Sequence, residues 1–262
     1  MTETRKSRKM RTGHVPVLIA LVALLAPAAA LAVTLTGTGG ADVLVGTNNR
    51  DTITGLGGDD AIFGLGDIDR IEGGSGDDTI NGDGTCPPGA PDISYCSNGE
   101  GTGASRSIRD DSAICPPGTP ANIGSCFDGG ADSIDGGSGD DDIEGGTGND
   151  RISGDSGSDR ILGEADEDSI DGGRGVDELN GDQGDDRIFG GSGADRIWGN
   201  SGDDELSGDA GRDRIRGGSG NDLIRARDGR RDTITCGAGR DQVSADRSDR
   251  VSGDCERVSR SR

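Results

Sequence analysis

The chain has 262 residues, of which 51 are glycine, while only 29% are hydrophobic and 2% aromatic. A conventional globular core needs more large apolar side chains, so this composition leaves either a disordered chain or a repeat architecture that buries small aliphatic side chains. The formal net charge of −22 argues against a nucleic-acid partner.

Residues 1–32 have the layout of a Sec-type signal peptide. Five cationic side chains precede an apolar run over 15–25, and residues 30–32 (Ala-Leu-Ala) suit cleavage. An uncleaved membrane anchor is the alternative, because the apolar stretch approaches spanning length. Two prolines and the alanine-rich end favour cleavage, so we expect a secreted, extracellular protein with no stable membrane span, retaining 22 cationic and 48 acidic residues.

From Gly37 onward the sequence divides into blocks of nine residues, of which 145–153 (GGTGNDRIS) is representative. Five blocks occupy 37–81 and eleven occupy 127–225. All sixteen have aspartate at the sixth position and isoleucine or leucine at the eighth. Two such uniform columns do not arise by chance, so the mature chain is a repeat protein.

This pattern resembles the RTX, or haemolysin-type, calcium-binding nonapeptide repeat, G-G-x-G-x-D-x-aliphatic-x, over most of the mature chain. The first two blocks match least well in their glycines. The resemblance implies an all-β fold, a parallel β-roll (β-solenoid) with two blocks per coil. Six residues of each block would form a metal-binding turn and three a short strand, so that residue i stacks on residue i+18.

Strand geometry predicts which side chains face the core. Alternation along a strand points the eighth position inward and the seventh and ninth outward. Stacking then places Asp142, Arg160 and Glu178 in one outward column, and Arg187 beside Glu205 in another. Opposite charges on neighbouring strands stabilise a sheet by a few tenths of a kcal/mol each.

Stacking also brings sixth-position carboxylates within about 5 Å of each other, where they repel by roughly 1–3 kcal/mol. A divalent cation between the turns reverses that repulsion. Carboxylates and turn carbonyls offer only oxygen, which suits Ca²⁺ better than Mg²⁺ or Zn²⁺, and the only histidine, His14, lies in the leader. We therefore expect multiple Ca²⁺ ions.

Carried over residue by residue, the family's ligand role falls on the sixth-position aspartates. These are Asp42, Asp51, Asp60, Asp69, Asp78, Asp132, Asp141, Asp150, Asp159, Asp168, Asp177, Asp186, Asp195, Asp204, Asp213 and Asp222. If each site needs blocks n and n+2, the two tracts give three and nine sites. Asp67 and Asp166 replace the fourth glycine of their blocks, so weaker binding is expected there. We expect the metal-free chain to be disordered and to fold on binding calcium.

Residues 86–126 depart from the repeat and contain four cysteines. Two similar half-motifs, each opening Cys-Pro-Pro-Gly, favour disulfides Cys86–Cys96 and Cys115–Cys126, although four cysteines allow three connectivities. A secreted context favours disulfides, and zinc bound by four thiolates is the competing interpretation.

Residues 226–258 keep Asp-x-aliphatic triplets but lose most glycines. An open solenoid end needs a cap, and we expect this segment to provide it, held by a disulfide between Cys236 and Cys255. The expected organisation is a signal peptide (1–32), a first β-roll tract (33–85), a cysteine-rich insertion (86–126), a second β-roll tract (127–225) and a stapled cap with its tail (226–262).

The mature chain has no histidine for a Ser-His-Asp or Cys-His arrangement, so we expect no enzyme but a calcium-binding protein with a structural, adhesive or cell-surface role. Its partner beyond calcium would be a cell-surface polysaccharide or protein. One alternative is a polysaccharide-acting β-roll enzyme, marked by an exposed cleft of arginine, aspartate and aromatic residues. Another is a binding module that presents residues 86–126 to a protein. Phe189 and Trp198 are interpreted as isolated surface aromatics.

Overall fold

A computed structural model describes residues 32–47, 49–65, 67–83 and 130–260. Within these ranges the protein is an all-β solenoid of parallel strands without a helix, and so without any helix that could cross a membrane. Each coil contributes one strand to each of two long sheets. This is the parallel β-roll that the repeat pattern predicted.

The strands fall into three sheets. The first contains β1 (Thr34–Thr36), β3 (Thr52–Gly57), β5 (Arg70–Ser75), β7 (Ser133–Ser138), β9 (Arg151–Ser153), β11 (Ser169–Asp171), β14 (Arg187–Phe189), β17 (Glu205–Ser207), β20 (Leu223–Ala226), β22 (Gln242–Ala245) and β24 (Arg257–Arg260). The second contains β2 (Val43–Val45), β4 (Ala61–Leu65), β6 (Thr79–Asp83), β8 (Asp142–Thr147), β10 (Arg160–Ala165), β13 (Glu178–Gln183), β16 (Arg196–Ser201), β19 (Arg214–Ser219), β21 (Thr233–Ala238) and β23 (Arg250–Val251). Short strands β12 (Arg174–Gly175), β15 (Ser192–Gly193) and β18 (Ala210–Gly211) form the third.

The register confirms stacking at 18 residues. Ile152 pairs with Ile170, and Ile170 with Ile188, in successive coils. The sixteen eighth-position side chains are at most 2% exposed and form one continuous core. Because each coil adds only two aliphatic side chains, this core is one residue thick and has no place for an aromatic ring.

The two tracts form a single solenoid. Strands β5 and β7 pair directly, with Ile71 opposite Ile134, and β6 pairs with β8, with Ile80 opposite Ile143. These partners are 63 residues apart instead of 18, so 45 residues, or five repeat periods, leave the solenoid and return at the same point. Because the sixteen blocks stack in one series, they form fourteen pairs of blocks n and n+2. Two separate tracts were expected to form twelve, three in the first and nine in the second.

The inserted chain interrupts a nonapeptide block. Gly82, on the other side of the insertion, occupies the first position of the block that contains Asp132. A methyl group on Gly82 would lie 2.5 Å from the Asp132 Oδ2 atom, which is the contact that first-position glycines make in the regular blocks. The four cysteines of the insertion lie outside the described residues, as does the predicted leader except for its last residue. The disulfide pairing of these cysteines and the cleavage of the leader therefore stay predictions.

The surface columns follow the predicted stacking with one difference. Arg160 bonds Asp142 at 2.9 Å and Arg187 bonds Glu205 at 3.0 Å, as expected. Glu178, however, contacts Arg196 in the coil above at 3.5 Å instead of Arg160 below. A carboxylate between two guanidinium groups can pair with either neighbour, so register alone does not decide which ion pair forms.

The cap continues the coil while its repeat length shrinks. From Asp222 the next acids that accept a backbone N–H of the coil before them are Asp232, Asp241, Asp249 and the exposed Glu256, at intervals of 10, 9, 8 and 7 residues. Strands β21 to β24 still pair in parallel with the coils below. The predicted disulfide between Cys236 and Cys255 is present.

Candidate metal sites

All sixteen sixth-position aspartates lie inside the turns. Each is at most 4% exposed, although the seventh-position residues beside them are exposed or half-buried. The chain turns into its strand at this point, and strand alternation then sends the sixth and eighth side chains to the inner face. Carboxylates are rarely buried without a partner, so the partners of these groups decide what the turns can bind.

From Asp51 onward, one carboxylate oxygen of each sixth-position aspartate accepts a backbone N–H of the coil before it. Oδ1 of Asp159 accepts the backbone N–H of Asp141 at 2.9 Å, and Oδ1 of Asp177 accepts that of Asp159 at 2.9 Å. The same contact crosses the insertion, where Oδ1 of Asp132 accepts the N–H of Asp69 at 2.6 Å. We call this column of buried acids, from Asp42 to Asp249, the aspartate ladder.

The second carboxylate oxygen is buried and, in most of the ladder, has no hydrogen-bond partner. This holds for Oδ2 of Asp60, Asp78, Asp132, Asp141, Asp159, Asp168, Asp177, Asp186, Asp195, Asp204, Asp213, Asp222, Asp232 and Asp241. Leaving one buried charged oxygen unsatisfied costs on the order of 1–3 kcal/mol or more. A defect repeated in these fourteen carboxylates indicates that a ligand belongs there.

A backbone carbonyl faces the same space. A methyl group on Gly172 would lie 2.7 Å from Oδ2 of Asp177 and 2.8 Å from the carbonyl oxygen of Gly190 in the next coil. The two oxygens therefore flank a volume that is open only because glycine has no side chain. A β-carbon at the first position would fill this volume, which explains the uniform first-position glycine of the regular blocks.

The donor set fits a hard cation that accepts carbonyl ligands. Across the described part of the chain, no three acidic, histidine or cysteine side chains form a metal cluster by themselves. Turn carbonyls must therefore complete any site, and the resulting all-oxygen set with flexible geometry is the one calcium prefers.

Burial makes these carboxylates hard to ionise without a cation. Desolvation raises the pKa of Asp159, Asp168 and Asp204 to about 7, and repulsion from neighbouring acids adds to it. The pKa of Asp141 and Asp195 rises to about 6 for the same reasons. In each case the backbone N–H bond acts in the opposite direction but is the smaller effect. An adjacent divalent cation would reverse the balance.

The blocks without a fourth glycine keep the turn conformation. Asp67 and Asp166 adopt φ values of 68° and 78°, in the left-handed region that aspartate tolerates better than most residues. Oδ2 of Asp166 also accepts the backbone N–H of Gly148 at 3.1 Å. The turn is thus preserved with a side chain in place of a hydrogen, and weaker calcium binding there stays a prediction.

The first two predicted ligands differ from the rest. Oδ2 of Asp42 accepts the Thr38 N–H at 2.5 Å and its hydroxyl at 2.9 Å, and Oδ2 of Asp51 accepts the Thr47 N–H at 2.5 Å. Threonine stands at the second position of both blocks, where later blocks have glycine or other residues. Oδ1 of Asp51 also accepts the Val33 N–H at 2.7 Å. Protein donors therefore already bond Oδ2 of Asp42 and both oxygens of Asp51.

Three ladder members, Asp232, Asp241 and Asp249, were not among the sixteen predicted residues. Asp232 and Asp241 are fully buried, and their Oδ1 atoms accept the N–H groups of Asp213 and Asp222 at 2.9 Å each. The retained Asp-x-aliphatic triplets signalled them, but the changed spacing concealed their register.

The fifth-position acids form a separate, exposed column. Oδ1 of Asp185 accepts the N–H of Asp203, and Oδ1 of Asp203 accepts that of Asn221, both at 2.7 Å. These bonds point along the solenoid in the direction opposite to the ladder's bonds. They favour a turn-stabilising role for these side chains over a ligand role.

Comparison with protein families identifies the repeat. A sequence model of the RTX calcium-binding nonapeptide repeat matches overlapping stretches that together span residues 36–84 and 128–243, more than half of the chain. No curated protein matches the chain significantly.

Proposed function

Because the chain belongs to the RTX calcium-binding nonapeptide repeat family, we propose that it is a secreted, non-catalytic protein whose solenoid is assembled by the multiple calcium ions that it binds. Its role is structural, adhesive or at the cell surface. The observation that supports this proposal best is the aspartate ladder, which presents a buried carboxylate oxygen without a hydrogen-bond partner in coil after coil.

The ladder divides its two carboxylate oxygens between two tasks. Oδ1 fixes the register of each coil on the one before it, as Asp177 does for Asp159. Oδ2 remains for a cation, together with a carbonyl such as that of Gly190. When bound, calcium neutralises the repulsion between successive carboxylates. The sixth-position aspartates from Asp60 to Asp222 are the ligands we propose in the regular coils.

Folding and calcium binding should be coupled. A core of two aliphatic side chains per coil leaves little hydrophobic stabilisation for each ordered residue, while every added coil brings two buried carboxylates against two others. The chain therefore needs the cation in order to stack, which is the situation in which binding free energy becomes folding free energy.

Circular dichroism and calorimetry on the mature chain, residues 33–262, test this coupling. We expect little β signal in EDTA, a large gain in millimolar calcium, and heat release over the same concentration range. Magnesium at equal concentration is the control, because it retains its water ligands and should not replace calcium. Equal β content in EDTA and calcium would refute calcium-driven folding.

Secretion rests on two features. The N-terminal 1–32 pattern directs export, and the Cys236–Cys255 disulfide suits an oxidising compartment. Expression of the full chain in a bacterium with a Sec system should release a product that begins near Val33, as determined by N-terminal sequencing. A membrane-bound product that still carries residues 1–32 would instead establish the uncleaved anchor.

A surface groove bears on the enzyme alternative. Acids of the fifth-position column, Asp185 and Asp203, line it together with Arg187 and Glu205, and no aromatic residue belongs to its lining. The polysaccharide-acting alternative expects a cleft of arginine, aspartate and aromatic residues. This groove supplies arginine and aspartate but no aromatic ring, so it matches that alternative only in part. Incubation of the calcium-loaded protein with acidic and neutral polysaccharides, followed by chromatography for shortened products, tests the alternative.

A further inference from the structure

We propose that the folded protein binds a second copy of itself through the outer face of its second sheet, in a dimer whose two-fold axis runs along β16. The surface concerned is the outward side of seven successive strands, β8, β10, β13, β16, β19, β21 and β23, which we call the charged face. Such a dimer goes beyond the proposed function and requires only that the solenoid is folded.

The charged face has an acidic half and a basic half. Strands β8, β10 and β13 carry five acids and one arginine, all exposed or half-buried: Asp142, Glu144, Arg160, Glu164, Glu178 and Asp182. Strands β16, β19, β21 and β23 carry four exposed arginines and no acid: Arg196, Arg214, Arg216 and Arg250. The two halves therefore have opposite charge within one sheet.

Ion pairs inside the charged face leave groups of both signs unpaired. Arg160 pairs with Asp142, and Arg196 pairs with Glu178. Among the residues that the structure describes, the remaining charged side chains of the face take part in no ion pair: Glu144, Glu164 and Asp182 in the acidic half, and Arg214, Arg216 and Arg250 in the basic half. Each half thus has charge that a complementary surface could neutralise.

Like charges also lie next to each other within each half. Arg196 is in register with Arg214 on the neighbouring strand, an arrangement that destabilises a sheet. In the acidic half, desolvation raises the pKa of Glu164, and repulsion from Glu144 and Asp182 adds to it. A surface of opposite charge would relieve this repulsion in both halves.

A second copy supplies that surface, because β16 is the middle strand of the seven. A two-fold axis along β16 places β13 over β19 of the second copy, β10 over β21, and β8 over β23. In the seventh column, Glu178 then faces the second copy's Arg214, and Asp142 faces its Arg250. Arg160 faces the uncharged Thr233. Both copies have the same strand spacing of about 4.8 Å, so alignment at one of these positions is kept at the others.

Trp198 lies at the centre of the charged face. It is the only tryptophan of the chain and is half-buried on β16, between Asn180 and Arg216 on the two neighbouring strands. Beside it, Asn180 donates to Asp182 at 2.9 Å and Asn200 donates to Asp182 at 3.3 Å, which holds these polar groups in place. A central tryptophan surrounded by polar and arginine side chains is typical of the residues that dominate an interface.

The size of the charged face suits a reversible dimer. Seven strands at about 4.8 Å spacing and about 20 Å long give a face of roughly 30 by 20 Å, so two copies would bury on the order of 1,200 Å² in total. This is the lower end of the range for specific interfaces. Because the attraction comes from exposed charges, we expect the dimer to dissociate at high salt.

Sedimentation velocity of the mature protein in calcium tests the dimer by charge reversal at facing positions. The parent should form a dimer as its concentration rises in low sodium chloride. Arg214→Glu with Arg250→Glu should stay monomeric, and so should Asp142→Arg with Glu178→Arg. An equimolar mixture of these two variants should form a dimer, because each copy then supplies the charges that the other needs.

The matched control reverses two arginines outside the charged face. Arg151→Glu with Arg174→Glu changes the net charge as much as Arg214→Glu with Arg250→Glu, but on β9 and β12, so it should form a dimer like the parent. Circular dichroism in calcium establishes that each monomeric variant is folded. A variant mixture that stays monomeric, or a control that loses the dimer equally, would overturn the inference.

Trp198 provides an independent readout. Its fluorescence should shift to shorter wavelength as the parent forms a dimer, and Trp198→Ala should weaken association by roughly tenfold or more. A parent that stays monomeric in low salt at every concentration would refute the dimer. If that monomer bound a soluble acidic polysaccharide and Arg214→Glu with Arg250→Glu did not, the basic half would be a polyanion site in place of a dimer contact.

Discussion

The regular coils and the cap use the same backbone ladder but differ in what satisfies the second carboxylate oxygen. In the regular coils the period is nine residues, the first position is glycine, and an oxygen such as Oδ2 of Asp177 is buried without a partner. Toward the end of the cap the interval shrinks to seven residues, and the backbone of Asp246 bonds the free oxygen of Asp249.

Under the proposed calcium-driven assembly, this difference gives the solenoid ends that depend on calcium less than the coils between them. At the N-terminal end, Thr38 and Thr47 satisfy Asp42 and Asp51, just as Asp246 satisfies Asp249 at the other end. An end coil has a neighbour on one side only, so it cannot share ions in both directions. On the proposed function, protein donors stand in for the missing ion at the ends, and the expected metal requirement is confined to the coils between.

Among the substitutions considered, the largest loss of stability should come from adding one carbon atom at a fourth-position glycine. Gly139 has a φ of 139°, and a β-carbon there would overlap the carbonyl oxygen of Gly76 in the coil below. We expect Gly139→Ala to destabilise the calcium-loaded protein by about 3 kcal/mol or more. Thermal unfolding in calcium, monitored by circular dichroism, measures the loss.

The cap provides the control for that substitution. A β-carbon on Gly253 would meet nothing within 4 Å, so Gly253→Ala should change stability by less than about 0.5 kcal/mol. Similar melting temperatures for Gly139→Ala and Gly253→Ala would mean that close stacking of the regular turns does not determine the stability of the protein.

The pH dependence should have opposite signs with and without calcium. Burial raises the pKa of Asp168 and Asp204 to about 7, well above the usual range of an aspartate, so the metal-free folded state holds protons that the unfolded chain releases. Its stability is therefore fully present below about pH 4 and is lost as the pH rises through 6 to 7. In EDTA, acidification from about pH 7.5 to about pH 5.5 should increase β content.

Calcium competes with those protons for the same oxygens. Between about pH 7.5 and pH 5.5 the calcium concentration at half-folding should rise, and calcium binding near neutral pH should release protons. Titration in two buffers of different ionisation enthalpy measures that release. An apo chain that stays equally unfolded across this range, with no proton release on binding, would show that the ladder carboxylates are not protonated when metal-free.

The sequence predicted the features that depend on a constant period and could not predict those that depend on its interruption. The 18-residue register, the inward eighth column and the buried sixth column all follow from the nonapeptide. The pairing of Ile71 with Ile134 does not, because a local pattern cannot show that 45 inserted residues return the chain to the same coil.

The sequence also could not predict which N–H groups donate hydrogen bonds to the ladder carboxylates. The bond from the Asp141 N–H to Oδ1 of Asp159 depends on backbone direction inside the turn, so the carboxylates were expected only to repel one another. The two bonds from Thr38 to Oδ2 of Asp42 depend on a side-chain rotamer and on one N–H direction. Residue type places an oxygen in a turn, but only coordinates show whether that oxygen already has a partner.

Deletion of the inserted chain should change stability by a smaller amount. Removal of residues 83–127 deletes five periods and joins Gly82 to Asp128, which rebuilds an uninterrupted block, GDGGADSID. We expect the shortened protein to fold in calcium, to bind the same number of ions, and to gain on the order of 1–3 kcal/mol, because a long loop no longer has to be closed. Native mass spectrometry and thermal unfolding measure both quantities.

Deletion of 82–126 is the control for register, since it also removes 45 residues but puts Phe127 at the first position. A bulky side chain there should cost calcium binding at Asp132, whose Oδ2 atom lies beside Gly82. A partner protein bound by the full chain and lost in both deletions would assign the inserted segment to partner binding, separately from folding.

The smallest effect should come from the surface ion pairs. Arg160 bonds Asp142 at 2.9 Å, but the two side chains are 48% and 54% exposed, so Arg160→Gln should cost less than about 0.5 kcal/mol, and less still in high salt. Arg260 in the cap differs, because its guanidinium donates to the backbone carbonyl of Asp246 at 2.8 Å.

Since that carbonyl belongs to the cap's own turn, Arg260→Gln should cost more, about 1 kcal/mol, with less dependence on salt. Thermal unfolding of both variants in calcium at low and high sodium chloride separates the two behaviours. A larger loss for Arg160→Gln than for Arg260→Gln would mean that charge pairing along the columns contributes to stacking beyond the calcium sites, and that the regular coils are held together at their surface as well as in their turns.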